Sequence, residues 1–151
     1  EKTGIGGFDL PTDAQWEYLC RAGTTTDFNS GEMWSADFTN TINRLAWWRA
    51  NGSNTTHTVG EKRPNAWGLY DVHGNAWEWC LDWYTNVLVA ATDPTGPVTG
   101  MPNPSPTITT PTRVRRGGGV ADDYFWQRSF ARTADGKPEH YYGVRLVWTL
   151  P

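Results

Sequence analysis

Residues 64–79 read PNAWGLYDVHGNAWEW, and they say more about the fold than any other stretch of this chain. The alternation from Ala76 to Cys80 predicts a β-strand with different residues on each face, because successive strand side chains point to opposite sides. Gly74 precedes that strand and favours a tight turn. The aromatic residues crowd here, at Trp67, Tyr70, Trp77, Trp79, Trp83 and Tyr84. The stretch therefore predicts a glycine turn that leads into a tryptophan-rich strand.

Upstream, residues 9–23 predict a short amphipathic helix. Thr12 followed by Gln15 is a capping-box pattern, and Pro11 suits the start of a helix. Gly23 is typical of a helix stop. The residues at helical spacing are Ala14, Trp16, Leu19 and Cys20.

Downstream, residues 92–112 predict a long surface loop, because their prolines interrupt any helix or central strand. Two short strands are predicted after it, at Arg113–Arg116 and Val144–Thr149. The glycines at 117–119 give the backbone freedom for a tight turn or a bulge. Short strands, few helices and much loop indicate an irregular α+β fold.

The composition excludes two classes of protein. The chain has 151 residues, which is room for one domain, 1–151. With a formal net charge of -3 it lacks the clustered Lys and Arg that phosphate contacts need, so we expect no nucleic-acid partner. No apolar run approaches the roughly 20 residues of a membrane span. Ten tryptophans suit both a core and a binding surface.

The cysteines and histidines do not form a metal-site pattern. Cys20 and Cys80 are interpreted as buried thiols of the core, with a single bridge between them as the alternative. The three histidines, His57, His73 and His140, show no ligand spacing. They are interpreted as ordinary hydrogen-bonding residues, with an iron or zinc site as the alternative.

Four separated blocks resemble one known family. They are LPTDAQWEY at 10–18, PNAWGLYDVHGNAWEW at 64–79, RVRRGG at 113–118 followed by RS at 128–129, and GVRLV at 143–147. In the same order they are similar to the LPTEAEWEY, NxWGLYDMHGNVWEW, RVLRGGSW and GFRLV motifs of the formylglycine-generating enzymes, also called sulfatase-modifying factors. The resemblance spans most of the chain and implies a loop-rich fold related to the C-type lectins.

The resemblance also bears on what surrounds the domain. In the family, N-terminal strands and a helix precede the first of these blocks. The resemblance therefore implies that the domain lacks its N-terminal portion: it is a fragment of a larger protein, with an N-terminal segment of the same protein as a partner, or a partner segment is supplied elsewhere. The sequence leaves the compartment open, with a cell-surface or secreted location as the expectation.

The loop around Gly74 is a candidate calcium site. It gathers two carboxylates and several carbonyls within a short stretch, and calcium takes six to eight hard oxygen ligands of this kind. From the residues alone, solvated or capping carboxylates are the alternative. The resemblance implies structural calcium, bound by the side chains of Asp71 and Glu78 and by the backbone of Gly74 and Ala76. Its role would be to stabilise a loop-rich backbone.

The residues needed for the family's chemistry are missing. The enzymes use a pair of copper-binding cysteines after the Gly-Gly pair of the third block. The corresponding stretch here, 119–132, has no cysteine. Cuprous ion needs thiolates, and neither Cys20 nor Cys80 matches those positions. We therefore expect a non-catalytic domain with no catalytic residue and no copper. The alternative is an enzyme of the formylglycine-generating type, or a related metal-dependent oxidase.

A surface for ligands is expected in the same stretch. The resemblance implies that residues 119–142 line the face where the enzyme binds its peptide, so we expect a protein or peptide ligand there. The residues of this predicted site are aromatic or polar, as in many binding surfaces. They are Asp122, Asp123, Tyr124, Phe125, Trp126, Phe130, His140, Tyr141 and Tyr142. The alternative is that Phe125, Trp126 and Phe130 pack in the core and that Asp122 and Asp123 are solvated.

Retroelement diversification is a further expectation. The same family includes variable proteins of diversity-generating retroelements, in which mutation of adenines changes this stretch to create new ligand specificities. Most of the predicted site residues are compatible with mutated Asn codons. Trp126 and Gln127 are not, and Gly119-Val120 stands where the family has Ser-Trp.

Overall fold

The computed structural model describes residues 7–31, 38–88, 90–99, 111–134 and 142–149. Short elements separated by long connections make up this part of the chain, which confirms the predicted irregular α+β fold. The elements are β1 (Gly7–Asp9), α1 (Asp13–Arg21), α2 (Phe38–Leu45), β2 (Ala46–Trp47), β3 (His73–Gly74), β4 (Trp77–Trp83), β5 (Arg113–Arg116), a 3-10 helix (Tyr124–Gln127), β6 (Arg132–Ala134), β7 (Tyr142–Gly143) and β8 (Val147–Thr149).

Helix α1 begins with the predicted capping box. The Thr12 side chain accepts a hydrogen bond from the Gln15 amide at 3.2 Å, and the Gln15 side chain accepts one from the Thr12 amide at 2.9 Å. The helix ends earlier than predicted. Ala22, with φ 45°, takes the left-handed capping conformation one residue before Gly23, and its amide donates to the Tyr18 carbonyl.

Helix α2 was not predicted. Its buried residues, Phe38, Thr41, Ile42 and Leu45, recur at the spacing of one helix face, so the helix lies against the core along that face. Polar residues fill the positions between them and obscure the pattern in the sequence. Within the part of the chain that the structure describes, no helix is long and apolar enough to cross a membrane.

The main sheet has four strands in the order β6-β5-β4-β7. Strands β4 and β5 are antiparallel, with Glu78 opposite Arg116, and β7 runs parallel to β4. The strands predicted at 76–80 and 113–116 are thereby confirmed. The strand predicted at 144–149 is shorter, because only Val147–Thr149 pairs, with β1. Just before it, Arg145 instead turns its side chain to Glu78.

Among the described residues, two hydrophobic clusters form the core. The first is built on α2 and consists of Phe28, Phe38, Ile42, Leu45, Ala46 and Trp48. The second lies between α1 and the main sheet and consists of Trp16, Cys20, Val72, Cys80 and Val114. Both cysteines are buried and free, so they are core thiols as predicted, and the alternative of a bridge between them is wrong.

The predicted loop is present as far as the chain is described. Residues 92–99 contain no helix or strand and are mostly exposed. The remainder of the predicted loop, up to position 110, lies outside the described residues.

Candidate functional site

The glycine turn between β3 and β4 is fixed by close backbone contacts. Gly74 has φ 82°, and a Cβ there would lie 2.2 Å from the Trp47 carbonyl oxygen, so no other residue fits without a shift of the backbone. The Asn75 side chain then exchanges two hydrogen bonds with the backbone of His57, at 2.9 and 3.1 Å. The turn is thereby held against β2 on one side and against the loop around His57 on the other.

A cavity of about 450 Å³ lies beside this turn, and all four predicted calcium-binding residues line it. Asp71 Oδ2 accepts a hydrogen bond from the Gly60 amide at 2.7 Å. Its Oδ1 is buried and has no hydrogen-bond partner among the described residues. A buried oxygen without a partner is unfavourable, and a hard cation is one group that would satisfy it.

Glu78, in contrast, already has protein partners for both carboxylate oxygens. Arg145 donates one hydrogen bond to each oxygen at 2.8 Å, and the Trp16 indole donates another to Oε2 at 2.7 Å. Burial raises the pKa of Glu78, and the Arg145 guanidinium opposes that rise. Only Oε1, with a single donor, has a lone pair left for a cation.

A cation in this cavity would depend on backbone carbonyls. The described residues include no group of three or more His, Cys, Asp and Glu side chains that could hold a metal. Asp71 Oδ1, which lacks a partner among the described residues, suits a hard cation, whereas Glu78 Oε1 and the Gly74 carbonyl each already accept one hydrogen bond, the latter from the Ala76 amide at 2.9 Å.

The predicted ligand surface has a part that faces solvent, which we call the 125–130 face: Phe125, Trp126, Arg128 and Phe130. Phe125 is 45% exposed and Phe130 is 41% exposed. Trp126 is half-buried and meets Trp77 edge to face, with 5.9 Å between the ring centroids. The alternative that these rings pack in the core is therefore wrong for Phe125 and Phe130.

Two of the predicted ligand residues make structural contacts within the fold. Asp122 Oδ2 accepts hydrogen bonds from the Trp77 indole at 2.7 Å and from the Gly119 amide at 2.9 Å, so it closes its own turn. Tyr124 packs on the α2 cluster, with its ring centroid 4.9 Å from that of Phe38. Tyr124 is thus partly buried against the core.

The other predicted ligand residues lie nearby or outside the described chain. Asp123 is partly exposed and forms an ion pair with Arg49. Tyr142 lies on β7, edge to face with Trp79 at a centroid distance of 5.2 Å. His140 and Tyr141 lie outside the described residues.

Comparisons with known proteins agree with this geometry. The sequence model of the family described as "Sulfatase-modifying factor enzyme 1-like domain" matches residues 2–150. The chain belongs to this family. A formylglycine-generating enzyme of Streptomyces coelicolor is 30% identical over 149 residues, which are 91% of this chain and 44% of the relative. Its counterpart in Bos taurus is 32% identical over 128 residues, covering 74% of this chain and 30% of the relative.

Solved structures show the same fold. Treponema denticola variable protein 1 has a TM-score of 0.76 and 33% identity, covering 93% of this chain and 47% of that one. PvdO from Pseudomonas aeruginosa has a TM-score of 0.73 at 24% identity, which supports the fold alone. The predicted family and its C-type-lectin-like fold are thereby confirmed. This sulfatase-modifying factor-like domain spans less than half the length of these relatives, from 30% to 47%.

The two thiols of the sulfatase-modifying factor-like domain have low reactivity. Burial raises the pKa of Cys20 to about 12, and it also raises the pKa of Cys80. At neutral pH both therefore stay protonated, and a thiol without its charge is a poor nucleophile and a poor metal ligand. Neither cysteine belongs to the stretch 119–132, which follows Gly117 and Gly118.

Two residues of the surface were missed by sequence reasoning. Arg128 lies against the rings of Phe125 and Phe130, with its guanidinium carbon 3.9 and 4.7 Å from their centroids. The sequence did contain a signal for Arg128, because one phenylalanine lies three residues before it and another lies two residues after it. Arg49 reaches Asp123 from a distant part of the chain, and no local pattern indicates that pair.

Proposed function

We propose that this sulfatase-modifying factor-like domain is a non-catalytic binding module that holds a protein or peptide ligand through residues 119–142. The observation that carries the proposal is the exposure of Phe125 and Phe130 in a stretch without cysteine, where the resemblance puts the copper-binding pair of the enzymes. Aromatic residues and arginine are enriched where protein interfaces gain most of their binding energy.

The binding proposal is tested with a phage-displayed library of random peptides. We expect the wild-type domain to enrich specific peptides, and the double variant Phe125→Ala/Phe130→Ala to lose them without losing its fold. A matched double variant at exposed residues elsewhere, Val59→Ala/Val98→Ala, should bind as the wild type does. Enrichment that the 125–130 variant leaves intact would contradict the proposed surface.

The non-catalytic part of the proposal has its own test. The domain is incubated with copper, oxygen and a cysteine-containing sulfatase peptide, and the peptide mass is measured. We expect the peptide to remain unchanged. Conversion of its cysteine to formylglycine would refute the binding-only function.

In its finer form, the proposal is that a retroelement diversifies this surface. The similarity to a protein named variable protein 1 supports it. Sequencing of the same locus in many isolates is the test. We expect substitutions to concentrate within residues 119–142, and an even spread along the chain would overturn the idea.

We also propose that calcium binds in the cavity beside the glycine turn, through Asp71, Gly74, Ala76 and Glu78. The buried oxygen of Asp71 without a partner supports it. A ligand that binds only the folded state at a hundred times its Kd stabilises that state by about 2.7 kcal/mol. Calcium should therefore raise the Tm of the wild type relative to EDTA.

The matched variants are Asp71→Asn and Asp93→Asn, of which the second removes an exposed loop carboxylate outside this cavity. We expect Asp71→Asn to abolish the calcium-dependent rise in Tm and Asp93→Asn to keep it. Calorimetric titration with calcium gives the affinity directly. Equal Tm values in calcium and in EDTA would exclude a stabilising site.

A further inference from the structure

The 125–130 face has a charged centre with unused hydrogen-bonding capacity. The Arg128 guanidinium rests against two exposed phenyl rings, those of Phe125 and Phe130. Its Nε donates to the Phe125 carbonyl at 3.2 Å, and its Nη1 forms an ion pair with Asp27 at 3.7 Å, a distance too long for a hydrogen bond. No other hydrogen bond of Arg128 is found within the described chain, so the N–H groups of both terminal nitrogens lack a good acceptor.

Two other arginines of the domain behave differently. Arg116 donates to Asp13 and Glu17, and also to two backbone carbonyls. Arg145 donates twice to Glu78 and once to the Tyr70 carbonyl. In both residues, hydrogen bonds within the domain use the guanidinium donors. Arg128 is no more exposed than Arg145, with 17% of its side-chain surface accessible against 18%, but its terminal nitrogens still have donors to offer.

Asp27 faces Arg128 itself, with its Oδ2 3.7 Å from Nη1, and two further carboxylates near this face are engaged in other contacts. Asp123 is paired with Arg49, and its remaining oxygen is buried out of contact with solvent. Asp122 accepts two N–H groups within its own turn. A cationic ligand would find no free carboxylate among these two, whereas an anionic ligand would find the free N–H donors of Arg128.

We infer that the ligand of this surface is a peptide segment that presents a carboxylate next to an apolar side chain, and that Arg128 binds the carboxylate. The inference rests on the proposed binding function and names the chemistry of its ligand. A planar guanidinium matches a carboxylate with two parallel N–H···O bonds. The flanking phenyl rings accept the apolar neighbour and exclude water from the ion pair, which strengthens it.

The peptides that the wild-type domain enriches from the random library are the probes. We expect their shared motif to contain Asp or Glu beside a hydrophobic residue. Replacement of that acidic residue by its amide, and separately Arg128→Gln, should each weaken binding about tenfold or more, as expected for the loss of a charge-assisted hydrogen bond. Arg128→Lys should recover only part of the affinity, because an ammonium cannot form the two parallel bonds.

Arg63→Gln is the matched control, since Arg63 is an exposed arginine outside the 125–130 face, and it should leave affinity unchanged. Thermal unfolding shows whether Arg128→Gln keeps the fold, and the peptide amide variant tests the same contact on an unaltered domain. Enriched peptides without an acidic residue, or with affinities indifferent to Arg128→Gln, would overturn the inference while leaving the binding function in place. If no peptide is enriched at all, the proposed function fails and the inference with it.

Discussion

At the scale of single residues, His73 couples the stability of the domain to pH. The side chain is buried; Nδ1 donates to the Gln127 carbonyl at 2.6 Å, and Nε2 accepts from the Asn29 amide at 3.2 Å. Burial lowers the pKa of His73 from the ordinary 6.5 to about 4. Between these two values the unfolded chain binds a proton that the folded chain does not, so stability falls as the pH falls through that window.

The expected loss across this window is about 3 kcal/mol, from the size of the pKa difference. Urea denaturation in a pH series measures it. The variant His73→Asn should lose this pH dependence, whereas His57→Asn, at a less buried histidine, should retain it. If His73→Asn does not fold, NMR titration of the wild-type ring gives the same answer, and a pKa near its ordinary value in the folded state would contradict the prediction.

At the scale of elements, the sequence predicted the helices and strands whose signals lie between residues close together in the chain. The capping box of α1 and the alternation in β4 involve neighbours in sequence, and the start of α1 and the strand β4 form as predicted. Strand β7 is only two residues long and owes its existence to β4, a partner more than sixty residues away. No local pattern can indicate such a strand, because its hydrogen bonds depend on the tertiary fold.

The cap of α1 can be tested by itself. Thr12→Ala removes the side-chain acceptor for the Gln15 amide, and a lost cap of this type costs about 1 kcal/mol. Thr12→Ser keeps the hydroxyl and should cost much less. Urea denaturation of the three proteins measures the difference. Equal stability of the alanine and serine variants would mean that the cap contributes nothing to this domain.

At the scale of the whole molecule, sequence motifs predicted the family and the surface better than they predicted which side chains are free. Residues 122–130 include side chains that close a turn, pack on α2 or face solvent, and this division depends on what the rest of the chain brings against them. Tyr124 and Phe125 are adjacent aromatic residues with opposite environments. Only the position of α2, which the sequence did not predict, distinguishes them.

Alanine variants of Tyr124 and Phe125 test which residue contributes to stability and which to peptide binding. Tyr124→Ala should destabilise the domain by about 2 kcal/mol or more, because it removes a ring from the α2 cluster. Phe125→Ala should change stability by only about 0.5 kcal/mol, because the ring is 45% exposed, yet it should lose the selected peptides. Urea denaturation and peptide titration of the same two variants measure both effects. The reverse pattern, with a stability loss at Phe125 and a binding loss at a stable Tyr124 variant, would place the ligand on the other side of the 3-10 helix.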